Sequence, residues 1–231
     1  MLVLAIESST RVASVALAQD DKVLGEVSSP DPKAHSDFIN PAIEQILTQS
    51  KTKLSDLDLI AVDIGPGSFT GVRVAVNVAR SLSYLLQKPI FAAQSLHLLL
   101  RQTSQDCIVM INAYKSMLFV CHQMNVSKGD LPLATSKVIP IDGLETYLRS
   151  LNITGPVRCV GDGYDAYYSE ISSDVKKFLV RDSALSDFPS ASTLSTQAIL
   201  PQSIRSQTLD WTSIIPLYLR ASAAEETLKS R

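Results

Sequence analysis

Gly65-Pro66-Gly67-Ser68-Phe69-Thr70-Gly71-Val72-Arg73 is the stretch on which the reading of this chain turns. An apolar run, Leu59-Ile60-Ala61-Val62-Asp63-Ile64, precedes it and reads as a buried strand; Val74 to Leu86 follows without a breaker and reads as a helix. A strand that turns on glycines and opens a helix leaves backbone N–H groups unpartnered at the positive end of the helix dipole. Such a turn suits a phosphate or a carboxylate, which makes Gly65, Gly67, Ser68, Phe69, Thr70, Gly71 and Arg73 a candidate anion or nucleotide turn. The plainer alternative is that the glycines only turn the chain. The G-x-G-x-x-x-G spacing is near the dinucleotide fingerprint, but the next strand, Pro89 to Ala93, is followed by Gln94 rather than by the acid that would hold a ribose. No lysine follows a glycine as in a phosphate loop. Pro66 and Thr70 stand where a nucleophile elbow around Ser68 needs glycines.

The 231 residues suffice for one large domain or two small ones. A net charge of −2 and the lack of a basic tract argue against strong autonomous nucleic-acid binding. Cys107, Cys121 and Cys159 form no C-x-x-C, as expected of reduced thiols in a cytoplasmic protein. His35, His97 and His122 are far apart and form no local zinc motif, so no metal is expected. Met1 to Ile6 lacks the charged start and long apolar core of a signal peptide, and no run is long enough to cross a bilayer.

Moving outward, Leu2–Ile6, Val12–Ala18 and Lys22–Val27 read as three strands of a meander, Ser36–Ser50 as a helix, Ile90–Ala93 as a strand and Leu96–Leu100 as a short helix. This β-β-β-α-β-α-β-α half closes near Gln105. The second half starts in the same way. Its strands are Cys107–Ile111, Met117–Gln123 and Thr135–Ile139, with a turn at Lys128-Gly129-Asp130. Asp142–Ser150 is helical, Val157–Val160 is a strand ending in Gly161-Asp162-Gly163, and Asp165–Ile171 and Ser190–Leu200 are helices before a polar end, Ala223 to Arg231. The expectation is a duplicated unit, with one domain over 1–105 and a second over 106–231.

The helix after the glycine turn has apolar residues over an arc of about 200°, wider than a one-sided surface helix needs. One side can face the sheet; the other needs a second helix of the same domain or another chain. Paired halves of this kind suggest the actin-like ATPase architecture, in which the first hairpin carries an acid and then a glycine that approaches nucleotide phosphates. Here the hairpin turn is Glu7-Ser8-Ser9-Thr10, with an acid but no glycine. Glu7 is either an acid that holds a metal-bound water or a solvated or capping carboxylate. Gly161-Asp162-Gly163 sits where a second phosphate turn is expected, and Ser68 and Thr70 have no evident histidine base, so no catalytic residue is assigned.

Ile6-Glu7-Ser8-Ser9-Thr10, His35 before a proline-containing helix, the Gly65–Arg73 string and Pro216-Leu217-Tyr218-Leu219-Arg220 together resemble the TsaB (YeaZ) family, over nearly the whole chain and in the same order. The resemblance implies an α/β fold of two related actin-like (ASKHA, RNase H-like) halves, each a mixed sheet with flanking helices. It implies a non-catalytic scaffold or activator, cytoplasmic, without an intrinsic cofactor. The catalytic TsaD-like subunit would transfer threonylcarbamoyl to adenosine 37 of tRNAs reading codons that begin with A. A TsaE-like ATPase would join the complex, tRNA would be met through it, and ATP and a divalent metal would belong to the partners. No membrane would be involved, and alone the chain would form a homodimer. The implied contact uses N-terminal-domain helices, with Phe38, Ala42, Val72, Ala75, Val76, Ala79 and Leu82 as candidate interface residues. Charge at Val76 or Ala79 is then expected to abolish pairing and leave the fold intact. Asn112 and Tyr114 depart from the aspartate and arginine frequent in the family. The alternative reading is a self-sufficient actin-like ATPase or small-molecule kinase.

Overall fold

The computed structural model describes residues 1–29, 35–124, 135–153, 155–200 and 208–220. The turn at 128–130 and the polar end at 223–231 lie outside them. The first sheet begins with β1 (Leu2–Glu7), β2 (Ala13–Gln19) and β3 (Lys22–Ser29), an antiparallel meander. Helix α1 (His35–Ser50) follows, then β4 (Leu59–Asp63), α2 (Phe69–Leu86), β5 (Ile90–Ala93) and α3 (Ser95–Leu100). Strand β4 pairs parallel with β1, and β5 parallel with β4. The second sheet contains β6 (Cys107–Asn112), β7 (Met117–Gln123) and β8 (Lys137–Pro140), again an antiparallel meander. Helix α4 (Leu144–Ser150) leads to β9 (Val157–Val160), parallel to β6; α5 (Gly163–Ala166) and α6 (Ser173–Phe178) lead to β10 (Leu179–Arg181), parallel to β9.

The sheets share one topology. The first reads β3-β2-β1-β4-β5 and the second β8-β7-β6-β9-β10, with β11 (Thr208–Leu209) added beside β5 in the first. This five-strand order is the duplication expected from the two meanders.

Each unit has its own core. In the first, Leu4, Ile6, Ile60 and Val62 of the central strands point to one face, where α1 and α2 bring Ile39, Ile43, Ile46, Val72, Val76 and Ala79. The alternate residues Val3, Ala5, Leu59 and Ala61 point to the other face, covered by Ala191, Leu194 and Ala198 of α7 (Ala191–Ala198). Central strands buried on both faces read as unbroken apolar runs. In the second unit Ile108, Met110, Leu118 and Val120 pack with residues of α4, α5 and α6.

The chain separates into Met1–Leu98 with Pro189–Leu217, and Leu99–Phe188 with the residues from Tyr218. A single cut at 105 therefore leaves out the return of α7 to the first sheet. The Ser14 hydroxyl accepts from Ala191 N–H at 2.8 Å and the Glu26 carboxylate from Ser192 N–H at 3.1 Å, so α7 is tied to β2 and β3. Two helix boundaries also differ from expectation. Helix α2 starts at Phe69, not Val74, because Ser68 caps it. The helix expected over Asp165–Ile171 is a short turn at Gly163–Ala166.

Candidate functional site

The two turns at the carboxyl ends of β1 and β4 lie against each other, and the glycines make that possible. A Cβ at Gly67 would stand 2.0 Å from the Ser9 carbonyl oxygen. Ser68 N–H donates to that same carbonyl at 2.6 Å, and the Ser8 hydroxyl donates to Gly71 O at 2.7 Å. Ser68 Oγ accepts from Gly71 N–H at 3.2 Å as the helix N-cap, and Val72 N–H donates to Ser68 O at 2.9 Å. Gly65 has φ +95° and donates its N–H to Asp63 Oδ1 at 2.7 Å. On its other side Leu217 N–H donates to Ile64 O at 2.7 Å. Of the candidate anion donors, the amides of Gly65, Ser68 and Gly71 are thus bonded within the protein. Phe69 and Thr70 belong to the first turn of α2 and Arg73 begins the second, with the Arg73 guanidinium 3.7 Å from the centroid of the Phe69 ring.

The second turn is closed in the same manner. Gly161, at φ +105°, would place a Cβ 2.2 Å from Met110 O, and Gly163 would place one 2.6 Å from Leu118 Cδ2. Asp162 Oδ1 accepts from Asn112 N–H at 2.9 Å, so this acid pins the β6 end. Asn112 Oδ1 accepts from Tyr114 N–H and from the Tyr167 hydroxyl, both at 2.8 Å. The Arg220 guanidinium of the Pro216–Arg220 string donates to Ala113 O at 2.6 Å and Tyr114 O at 2.9 Å.

Below the first joint lie two carboxyl groups that the sequence reading did not pair. Glu7 and Asp63 end the adjacent parallel strands β1 and β4, one step beyond the Ile6–Val62 pair, and both are fully buried. Glu7 Oε1 accepts from the Ser9 amide and hydroxyl, each at 2.6 Å. Asp63 Oδ1 accepts from Gly65 N–H and, at 2.9 Å, from the Ser95 hydroxyl. Burial, reinforced by the Asp63 charge, holds the Glu7 carboxyl well above the ordinary range; burial pushes Asp63 up to about 7 against the donors around it. Glu7 is therefore neither solvated nor open to a metal-bound water. A signal was available: both acids close apolar runs that the strand pattern buries.

Other chemistry is scarce. Burial pushes the thiols of Cys107 and Cys159 up to about 12 and that of Cys121 up to about 11, which removes them as nucleophiles at neutral pH. Among the described residues no three His, Cys, Asp or Glu side chains gather as metal ligands, and no helix is long and apolar enough to cross a membrane.

The helix faces are resolved by burial. Ala42, Val72, Ala75, Val76 and Ala79 are at most 2% exposed and belong to the core between α1, α2 and the first sheet. They cannot offer a side chain to a partner, so charge at Val76 or Ala79 strikes the fold first, contrary to the expectation above. Phe38 and Leu82 remain half-buried. Sequence reasoning missed the residues that surround Leu82 on the outer side of α2. Val74 and Val78 are half-buried and Leu85 is 72% exposed. At about 100° per residue, positions 74, 78, 82 and 85 form one stripe roughly 80° wide. An open groove lined by Asn40, Ile43, Leu47, Leu54 and Leu82 runs beside it along α1.

A family model described as TsaD, tRNA N6-adenosine threonylcarbamoyltransferase, matches residues 22–228. The protein named tRNA threonylcarbamoyladenosine biosynthesis protein TsaB of Buchnera aphidicola subsp. Acyrthosiphon pisum is 34% identical over 123 residues, 51% of this chain and 55% of that protein. The protein of the same name from Escherichia coli K12 is 38% identical over 96 residues, 42% of this chain and 41% of that protein. The chain belongs to the TsaB (YeaZ) family. It spans about half the length of these curated relatives. The solved structure of YeaZ from Pseudomonas aeruginosa is similar over 94% of this chain and 99% of its own, with a TM-score of 0.77 at 24% identity. That likeness shows the fold of this TsaB-family chain, the two-half actin-like architecture built from the repeated sheets.

Proposed function

We propose that this TsaB-family chain is a non-catalytic subunit of the assembly that places threonylcarbamoyl on adenosine 37 of tRNAs reading codons that begin with A. It activates a TsaD-like catalytic subunit by docking through the outer side of α2 and the adjoining part of α1. A TsaE-like ATPase joins that assembly, tRNA is met through it, and ATP with its divalent metal is held by the partners. Alone, the chain pairs with itself through the same face, and it works in the cytoplasm.

One observation carries the reading. The turns that would approach nucleotide phosphates in an actin-like ATPase are filled by the protein itself, with Gly67 and Ser68 on Ser9, while α2 keeps an apolar stripe open to a partner. An apolar stripe on an otherwise polar helix face favours protein association over solvent. The names of the Buchnera and Escherichia relatives support the tRNA pathway.

The test is reconstitution of the tRNA modification with purified TsaD-like and TsaE-like subunits, with and without this chain. Modification that depends on the chain, and fails with Leu85→Glu, is expected. Equal modification in its absence, or ATP turnover by the chain alone, overturns the proposal.

A further inference from the structure

Glu7 and Asp63 each have one oxygen saturated by donors and one with none. Glu7 Oε2 and Asp63 Oδ2 are buried and have no hydrogen-bond donor among the described residues. The two side chains leave adjacent parallel strand ends, one step beyond the Ile6–Val62 pair, and both are fully buried. We propose that Glu7 and Asp63 share one proton between those oxygens, and that this proton latches the hairpin turn to the glycine turn and so makes the start of α2 a pH-released joint.

The argument rests on satisfaction first. Two buried acceptors on adjacent strand ends are each a costly orphan; a hydrogen shared between them would remove both penalties at once. Charge points the same way. The groups that act on the pair from the surrounding elements are the Ser9 amide and hydroxyl of the hairpin turn, the Gly65 amide of the glycine turn and the Ser95 hydroxyl that opens α3. None of these strongest influences is a cation, and two adjacent carboxylates are costly in a dry interior. The connection to α2 is direct. Glu7 Oε1 holds Ser9; the Ser9 carbonyl holds Ser68 N–H; Ser68 caps α2. Loss of the proton sets two like charges side by side, and the separation of Glu7 from Asp63 pulls Ser9 away from the cap.

The sign of the pH effect follows. In the unfolded chain both carboxyls lose their protons near pH 4. The folded pair keeps one through neutrality, because both groups are raised. Over that interval the native state binds more protons than the unfolded state, so stability falls as pH rises, until the shared proton is lost.

Amide substitutions test the latch, because each is an isostere of the protonated acid. In Glu7→Gln the side-chain oxygen accepts from Ser9 as before and the NH2 group donates to Asp63. In Asp63→Asn the oxygen accepts from Gly65 and Ser95 and the NH2 group donates to Glu7. Each single variant therefore keeps the bond but fixes its hydrogen on the amide instead of on a shared proton. The double variant sets two NH2 groups against each other, and flipping either amide moves the clash to the Ser9 or the Gly65 N–H. Melting of the 231-residue chain is followed from pH 6 to 9.5. Wild type is expected to lose folding equilibrium constant by up to about tenfold per pH unit while the folded pair still holds the shared proton, and to level off once that proton is lost. Glu7→Gln and Asp63→Asn are expected to fall less steeply than wild type and to exceed it at pH 9.5. The double variant is expected to melt below both singles at every pH. A double variant at least as stable as the singles, or a wild-type profile no steeper than that of Glu7→Gln, overturns the proposal.

Discussion

Gly67 illustrates how a single residue carries an ambiguous signal. Its spacing from Gly65 and Gly71 announces that something must come close to the backbone, and does not say what. In the structure the approaching group is the Ser9 backbone: an added Cβ would meet its carbonyl oxygen at 2.0 Å and its carbonyl carbon at 2.8 Å. Neither atom can swing aside as the end of a flexible side chain could. Gly67→Ala is therefore expected to force the two turns apart, at a cost of about 3 kcal/mol or more of unfolding free energy. Gly155→Ala, where a Cβ meets nothing within 4 Å, is the matched control and is expected to be neutral. Denaturant titration of the two variants decides: equal midpoints would mean that the turn contact carries no weight. Glu7 and Asp63 show the same limit from another direction. Each acid was visible at the end of an apolar run, but their adjacency depends on β1 and β4 pairing in parallel, a long-range fact that local periodicity does not contain.

At the scale of the element, α2 was legible as a helix and as one with too many apolar residues for a single contact. Which part of the arc meets solvent was not legible, because Val72 and Val76 are chemically indistinguishable from Val74 and Val78, and Ala79 is apolar like them. Packing against the first sheet and α1 breaks the tie, burying the former and leaving the latter half-exposed. The start of the helix was misplaced for a different reason: Phe69, Thr70 and Gly71 are weak helix formers, and their helical state depends on the Ser68 cap and on the bond from Ser8 to Gly71 O. These facts separate two sets of variants. Val76→Arg or Ala79→Glu places an unpaired charge in the core and is expected to unfold the first unit, by about 3–5 kcal/mol. Leu85→Glu adds charge at the exposed part of the outer stripe and is expected to change stability by no more than about 0.5 kcal/mol while abolishing co-purification with a TsaD-like subunit. Circular dichroism and pull-down on the same preparations separate the two effects. Retained co-purification of folded Leu85→Glu would remove the stripe from the interface.

For the molecule as a whole, the duplication was readable because both halves open with three strands before any helix, and the strand orders repeat it. The closing segments were not readable. The strands β10 and β11 have only three and two residues, too few for a period to register. The helix at 190–200 was expected, but nothing local tells that its small residues Ala191, Ser195 and Ala198 are buried against β1, β2 and β4 of the first sheet. That placement has a consequence for dissection. A fragment of residues 1–105 retains α1 and α2 on one face but exposes Val3, Ala5, Ala16, Leu59, Ala61 and Phe91 on the other. Burial of such apolar side chains is worth about 25 cal/mol per Å2, and the lost cover exceeds what a marginally stable domain can spare. The fragment is expected to be aggregated or partly unfolded, whereas a chain that joins 1–98 to 189–217 by a flexible linker is expected to fold. Heteronuclear NMR spectra of the two distinguish the outcomes. A dispersed spectrum from 1–105 alone would show that α7 is dispensable to the first sheet, and the Ser14–Ala191 and Glu26–Ser192 bonds would then be decoration on a unit that stands without them.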